Sequence, residues 1–444
     1  MSALALIARH LGVTITGCDS DPAGAADLAA LGVQVWRGHD PGHLKDARAV
    51  VVTAAVPPDH AELQRARALA IPVVRRADAL GELVADGGGT LVAVAGTHGK
   101  TTTTVMVTEA LAAAGRTPTG LAGGRVAAWH GNAKVGSHEL FVVEADEYDR
   151  SFLSLTPTVA VVNNVEADHL ECYGTIAALE DAFVEFAGRA RRVIVGGDDA
   201  GAGRVAARLG GGVPVWRVGL SANADVRITN VVQEPAGSRA TVELPGGSTV
   251  QLRLAVPGLH NVRNAATALA VLHALEADVR VGAKALASFG GVGRRFERLG
   301  EAGGVTVVDD YAHHPTEVAA TLAAARQAFP GRRVVAVFQP HLYSRTALHG
   351  AALGEALAAA DVVVVAPIYA AREQPSAGGG VTHDVVARSA IRAGAPTVSV
   401  RDRADLTGQV ARAVRTGDVV FTLGAGDVTR VGPELLGILK AGGK

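Results

Sequence analysis

The chain has 444 residues, 48% of them apolar and 19% charged, which suits roughly two to four folded domains and excludes a disordered protein. Forty-two basic residues against 43 acidic ones argue against nucleic-acid binding through gross charge, though not against a local anion site. Two cysteines, Cys18 and Cys172, are too few for a disulfide framework, and with no apolar run of membrane-span length and no leader at the N-terminus they point to a cytoplasmic protein outside the membrane.

In chain order, short β-branched runs at 13–16, 49–53, 91–95, 140–143, 159–162, 305–308, 334–338, 362–365 and 419–422 alternate with Ala/Leu-rich stretches. Continuous apolar runs, rather than alternation, predict strands covered on both faces, as in parallel α/β sheets with crossover helices. Residues 225–255 differ: V-R-I-T, A-T-V-E-L and Q-L-R-L alternate around G-G, the pattern of an antiparallel insertion or edge ribbon. D-G-G-G at 86–89 and the glycines around 289–296 suggest three units, 1–87, 88–293 and 294–444.

In several of these strands a polar cluster starts at the C-terminal end, where open parallel sheets bind ligands. The clusters span 96–101, 144–149, 163–169, 309–317, 339–345 and 424–427. The sharpest is L-V-A-V-A-G-T-H-G-K-T-T-T-T at 91–104. A glycine turn between strand and helix presents backbone N–H groups to phosphate, Lys100 adds a point charge, and the Thr101 hydroxyl can hold Mg²⁺. Val94 stands where the generic P-loop needs its first glycine, so this is a shorter variant. Its exposed lysine is expected to face ligand. Hard oxygen ligands for the metal are available after the next strands, at Glu144, Asp146 or Glu147 and around His169. His313, His314 and His341 invite a zinc reading, but without Cys or a His-Glu-x-x-His helix they better suit orienting anions beside Arg345.

Taken together, G-T-H-G-K-T-T-T at 96–103, E-A-D-E at 144–147, N-N-V-E-A-D-H at 163–169, V-P-G-L-H-N-V-R-N-A at 256–265, G-R-R-F at 293–296, D-D-Y-A-H-H-P-T-E at 309–317, F-Q-P-H-L-Y-S-R-T at 338–346 and G-A-G-D at 424–427 resemble the Mur ligase family, the ATP-dependent enzymes of peptidoglycan precursor synthesis. The resemblance implies a three-domain α/β architecture. A Rossmann-like domain for the UDP moiety comes first, then a central P-loop ATPase-type domain with the antiparallel insertion, then a C-terminal Rossmann-like domain for the amino acid. It implies that ATP phosphorylates the lactyl carboxylate of UDP-N-acetylmuramate and that L-alanine displaces the phosphate. The wording of 309–317 favours the alanine-adding branch over the branch that recycles a murein tripeptide. A relative that has lost catalysis is the alternative from another class.

By the same resemblance, Gly96, Thr97, His98, Gly99, Lys100, Thr101 and Thr102 form the ATP phosphate site. Thr101, Glu144 and His169 serve magnesium. His260, Asn261 and Asn264 face adenine, Asp310 the ribose, and Arg295 an ATP phosphate. Tyr311, His313, His341 and Arg345 receive alanine and the acyl phosphate, and Asp19, His39 and Thr53 lie on the UDP side. Lys100, His169, His313 and Arg345 are the expected catalytic residues. Two departures stand out. Leu342 occupies a position where family members often have Arg. The family also begins with a strand and a G-x-G-G-x-G loop that would precede Met1, so the first domain is expected to miss its first strand.

Overall fold

The computed structural model describes residues 1–53, 55–86, 88–371 and 373–442. The expected boundary at residue 87 falls on Gly87, outside the described residues. The chain divides into two compact units, one of residues 1–229, 241–252 and 263–286 and one of 230–240, 253–262 and 287–444.

The N-terminal strands are β1 (Thr16–Asp19), β2 (Gln34–Arg37), β3 (Val50–Val52) and β4 (Val73–Arg75). They pair in parallel as β1–β2 and β3–β4, two separate sheets of two strands. The first strand begins later than the apolar run at 13–16 suggests. The helix Ser2–His10 ends in Gly12 at φ +82, with Gly12 N–H bonded to the Arg9 carbonyl and Val13 N–H to the Ala8 carbonyl. Those bonds form a Schellman cap, so Val13 completes the helix end before extended pairing starts at Thr16.

The middle of the chain contributes β5 (Thr90–Ala95), β6 (Thr119–Val126), β7 (Gly131–Lys134), β8 (Leu140–Glu144), β9 (Val159–Val162), β10 (Arg192–Gly196), β11 (Val215–Gly219), β12 (Val226–Glu234), β13 (Gly237–Glu243) and β14 (Thr249–Leu254). They form one sheet in the order 14-13-12-11-10-9-5-8-6-7. From β11 to β6 along that order neighbours pair in parallel, β7 lies antiparallel to β6 at one edge, and β12 to β14 form the edge ribbon expected from their alternation. Leu91, Ala93 and Ala95 of β5 join a core with Phe141, Phe183 and Phe186, while Val92 and Val94 are buried on the opposite face.

The second unit carries β15 (Glu297–Ala302), β16 (Val305–Asp310), β17 (Val334–Phe338), β18 (Val362–Val365), β19 (Thr397–Ser399) and β20 (Val419–Leu423) in the order 15-16-20-17-18-19. Only β15–β16 is antiparallel. The two-residue period splits β17 between two cores: Val334, Ala336 and Phe338 face one, Val335 and Val337 the other. Burial on both faces is why these strands read as unbroken apolar runs.

Candidate active site

Strand order gathers sequence-distant motifs. In the first unit β5 lies between β8 and β9, so the segments after all three emerge side by side. Gly96 has φ +128, and a Cβ there would lie 3.0 Å from the Asn163 amide nitrogen. Gly99 has φ +78, and its Cβ would meet the Asn264 Oδ1 at 2.8 Å. Both positions need glycine. The loop is braced from β9: Asn164 Oδ1 accepts from His98 N–H at 2.7 Å, Thr97 N–H donates to the Asn164 carbonyl, and Asn163 Nδ2 donates to Thr103 Oγ1 at 3.1 Å. Thr97, Thr101 and Thr102 are buried as the chain enters the 14-residue helix Lys100–Ala113. A braced loop before a long helix holds its N–H groups in place for an anion.

Lys100 does not point freely toward ligand, contrary to the sequence expectation. Its Nζ lies 2.8 and 2.7 Å from the two carboxylate oxygens of Glu147, which is 1% exposed, and 4.0 Å from Asp146 Oδ1. Burial disfavours the ammonium, but Glu147 and Asp146 outweigh it and hold Lys100 above its ordinary range. Burial also pushes Glu147 up against the pull of Lys100. With both oxygens within 2.8 Å of the ammonium, the ionised pair is the state we assign.

Asp146, Glu147 and His169 have potential ligand atoms within 4.8 Å of one another. Glu144, at the end of β8, instead accepts from Gly123 N–H and fills the space a Gly123 Cβ would need. Two carboxylates and an imidazole are a donor set that fits a divalent cation. His169 has φ +53, as do Asp149 and, within a degree, Arg150, so the segments flanking this cluster carry backbone strain of the kind found at functional sites. On the N-terminal pairs, Asp19 ends β1, His39 follows β2 and Thr53 follows β3, all at C-terminal strand ends.

On the helix Leu259–Ala274, Asn264 abuts the Gly96–Gly99 loop through Gly99. Asn261 Nδ2 donates to the Pro257 carbonyl at 2.7 Å, and the His260 ring packs against Gly258, whose φ of +97 leaves no room for a side chain.

In the second unit β16, β20 and β17 are neighbours, and three further motifs meet at their ends. Gln339 Nε2 donates to Asp427 Oδ1 at 2.7 Å and Gln339 Oε1 accepts from Val428 N–H, tying F-Q-P-H to G-A-G-D. Arg295 lies 4.9 Å from the Tyr311 ring centroid and 3.7 Å from Glu317. Glu317 also accepts from the backbone N–H groups of His313 and His314, closing a capping box on the helix Pro315–Ala328. The His313 and His341 rings are 6.2 Å apart. His341 stacks on Tyr369, and Arg345 donates to its Nδ1 at 3.1 Å, which makes that nitrogen the unprotonated one. Leu342 between them has φ +65, a conformation that disfavours a branched side chain. Asp310 is enclosed: its oxygens accept from Phe296 and Ala312 N–H, and burial pushes its pKa up to about 6.

The partnership of Glu147 with Lys100 and the joining role of Gln339 were not read from the sequence. Only the E-A-D-E and F-Q-P-H wording marked those segments.

Family profiles match three stretches: "Mur ligase family, catalytic domain" at residues 1–87, "Mur ligase middle domain" at 94–272 and "Mur ligase, glutamate ligase domain" at 294–426. The UDP-N-acetylmuramate–L-alanine ligases of Cutibacterium acnes and Kineococcus radiotolerans are 46% and 47% identical, each over 99% of this chain and 94% of theirs. Among solved structures, UDP-N-acetylmuramate–alanine ligase from Thermotoga maritima aligns with TM-score 0.82 at 28% identity, over 100% of this chain and 97% of that one. A murein peptide ligase from Psychrobacter arcticus aligns with TM-score 0.75 at 25% identity, over 99% and 96%.

Proposed function

The chain belongs to the Mur ligase family, and from that premise we propose that it joins L-alanine to the lactyl carboxylate of UDP-N-acetylmuramate with cleavage of ATP. The observation that carries this reading is the braced phosphate loop with Lys100, in a chain whose near-full-length relatives bear that enzyme's name.

The chemistry has two displacements. The lactyl carboxylate oxygen attacks the γ-phosphorus, the bond to the β-phosphate oxygen breaks, and ADP departs. The alanine amine then attacks the acyl carbon, loses a proton, and inorganic phosphate leaves. Two anions must approach in the first step, so positioned positive charge governs its rate. Lys100 and the helix N-terminus would hold the phosphates, and the fork of Arg345 would hold the carboxylate of alanine or the acyl phosphate in two-point contact. His313 and His341 would orient that acceptor. A magnesium ion held by Thr101, His169, Asp146 and Glu147 would neutralise charge on the transferring phosphoryl group.

We assign residues 1–87, with Asp19, His39 and Thr53, to the nucleotide sugar, 88–293 to ATP and 294–444 to the amino acid. Within 88–293 His260, Asn261 and Asn264 would serve adenine. A cytoplasmic location goes with a reaction that consumes ATP, and no described helix is long and apolar enough to cross a membrane.

The test is phosphate release measured with each substrate omitted in turn. Turnover should require ATP, UDP-N-acetylmuramate and L-alanine together. Turnover with the tripeptide L-alanyl-γ-D-glutamyl-meso-diaminopimelate but not with L-alanine would assign the chain to the recycling branch instead. Nucleotide binding without turnover would make it a binding relative.

A further inference from the structure

The N-terminal strand pairs carry a cluster centred on Glu62; it includes His39, assigned above to the nucleotide sugar, so a metal there and the nucleotide sugar would draw on the same imidazole. The thiol of Cys18 on β1 donates to Glu62 Oε1 at 3.2 Å and approaches Oε2 at 3.4 Å. The Nδ1 of His39 lies 3.3 Å from the Cys18 sulfur and 3.5 Å from Glu62 Oε2. His60 Nδ1 lies 3.9 Å from the same oxygen. His43 Nδ1 sits 3.3 Å from Oε1, its ring stacked on Trp36 at 4.4 Å between centroids. Glu62 itself is 8% exposed.

Hydrogen bonding alone would explain a buried carboxylate beside one histidine. It does not explain His60, whose Nδ1 is sealed from solvent, faces this carboxylate and has no hydrogen-bond partner. Buried polar atoms without partners call for a specific reason. Tetrahedral zinc, with bonds of about 2.0–2.3 Å, sets its ligand atoms about 3.3–3.8 Å apart. The separations around Glu62 Oε2, from 3.4 to 3.9 Å, fall close to that range with no metal present. A thiol and imidazoles select zinc over magnesium or calcium, whose sites are built from oxygen.

We propose that Cys18 Sγ, His39 Nδ1, His60 Nδ1 and Glu62 Oε2 form a zinc site, with His43 holding the second carboxylate oxygen. On binding, the Sγ–metal bond forms and the thiol proton leaves to solvent. The ligands come from β1, from the segment after β2 and from the start of the helix Ala61–Ala68, which follows β3. The metal therefore links the β1–β2 pair to the β3–β4 pair, two sheets that share no ladder among the described residues.

Cobalt is the probe, because a cysteine thiolate bound to Co²⁺ gives a charge-transfer absorption that oxygen and nitrogen ligands do not. The intact chain should take up Co²⁺ with that band and lose it to Zn²⁺ in competition. Cys18→Ser should abolish the band, Cys172→Ser should keep it, and His43→Ala should weaken binding about ten- to hundredfold, as for groups that orient a ligand. Zn²⁺ should raise the unfolding midpoint of the wild type but not of Cys18→Ser or His60→Ala, with circular dichroism confirming that each variant is folded. Co²⁺ binding without the thiolate band would place the metal at Asp146, Glu147 and His169 and overturn the proposal. So would an unchanged band in Cys18→Ser, or no binding of Zn²⁺ or Co²⁺ at micromolar concentration.

Discussion

Lys100, assigned above to the ATP phosphates, also has a structural partner. Its charge suits a phosphate, yet in this structure it is already half of a buried pair with Glu147. Lys100→Ala should therefore do more than slow the reaction. Loss of a positioned charge at a transferring phosphoryl group should cut turnover by 10²-fold or more, about 2.7–4 kcal/mol by analogy with removed oxyanion donors. Leaving Glu147 buried without its partner should also destabilise the protein by about 3–5 kcal/mol. Thermal unfolding and phosphate release, measured on the same preparation, check both. Adding Glu147→Gln should recover stability but not turnover; recovery of neither would show that the pair is not the source of the loss. Asp310 offers a second residue-scale test. Its folded pKa of about 6 lies above the ordinary carboxylate value of about 3.9, so the folded state binds the proton more tightly. Its stabilising contribution is complete below about pH 4 and is lost as pH rises through 6, on the order of 3 kcal/mol. Asp310→Asn cannot titrate. Its unfolding midpoint should fall less between pH 4 and 7 than that of the wild type, whatever its absolute stability. Parallel curves would refute the raised pKa.

At the scale of elements, the loop from Gly96 to Gly99, to which we assign the ATP phosphates, depends on backbone that only glycine adopts comfortably. Gly99→Ala adds a Cβ at φ +78, about 1–2 kcal/mol of conformational strain, and drives it against Asn264 and Asn163. The loop must shift from its braces, so ATP affinity should fall at least tenfold while the buried helix Lys100–Ala113 and the sheet remain folded. Calorimetric titration with ATP, alongside circular dichroism, measures this. The same scale explains what could be read in advance. The strands β5, β9, β17 and β18 lie where the sequence places them, because burial on both faces leaves an unbroken apolar signature. The first strand begins later than the apolar run suggests because Val13 looks like a strand residue but closes a helix cap through its backbone. Capping bonds leave no apolar pattern. The pairing of Lys100 is hidden from the sequence for a related reason: its partner Glu147 is 47 residues away and reaches it only because β8 pairs with β5.

Across the whole molecule, stability should be unevenly spread. The strands β5, β8 and β9 lie inside a ten-stranded sheet with a large apolar core, whereas β1 to β4 form isolated pairs of three or four residues that are mostly half-buried. Two-stranded sheets are marginal in water, and local opening follows packing. Amides of β1 to β4 should exchange with deuterium well before those of β5, β8 and β9 in metal-free protein; equal protection would contradict this. The sequence alone determined the α/β class, the edge ribbon, the glycine turn between β5 and its helix, and the family, because periodicity, glycine turns and motif wording are local and survive without coordinates. Tertiary structure alone decided which carboxylate meets Lys100, that Asp310 is sealed, that Gln339 binds Asp427, and that Cys18, three histidines and Glu62 converge. Those facts depend on strand order and on the direction of each side chain, and residues brought together by a parallel sheet can lie a whole crossover apart in the chain.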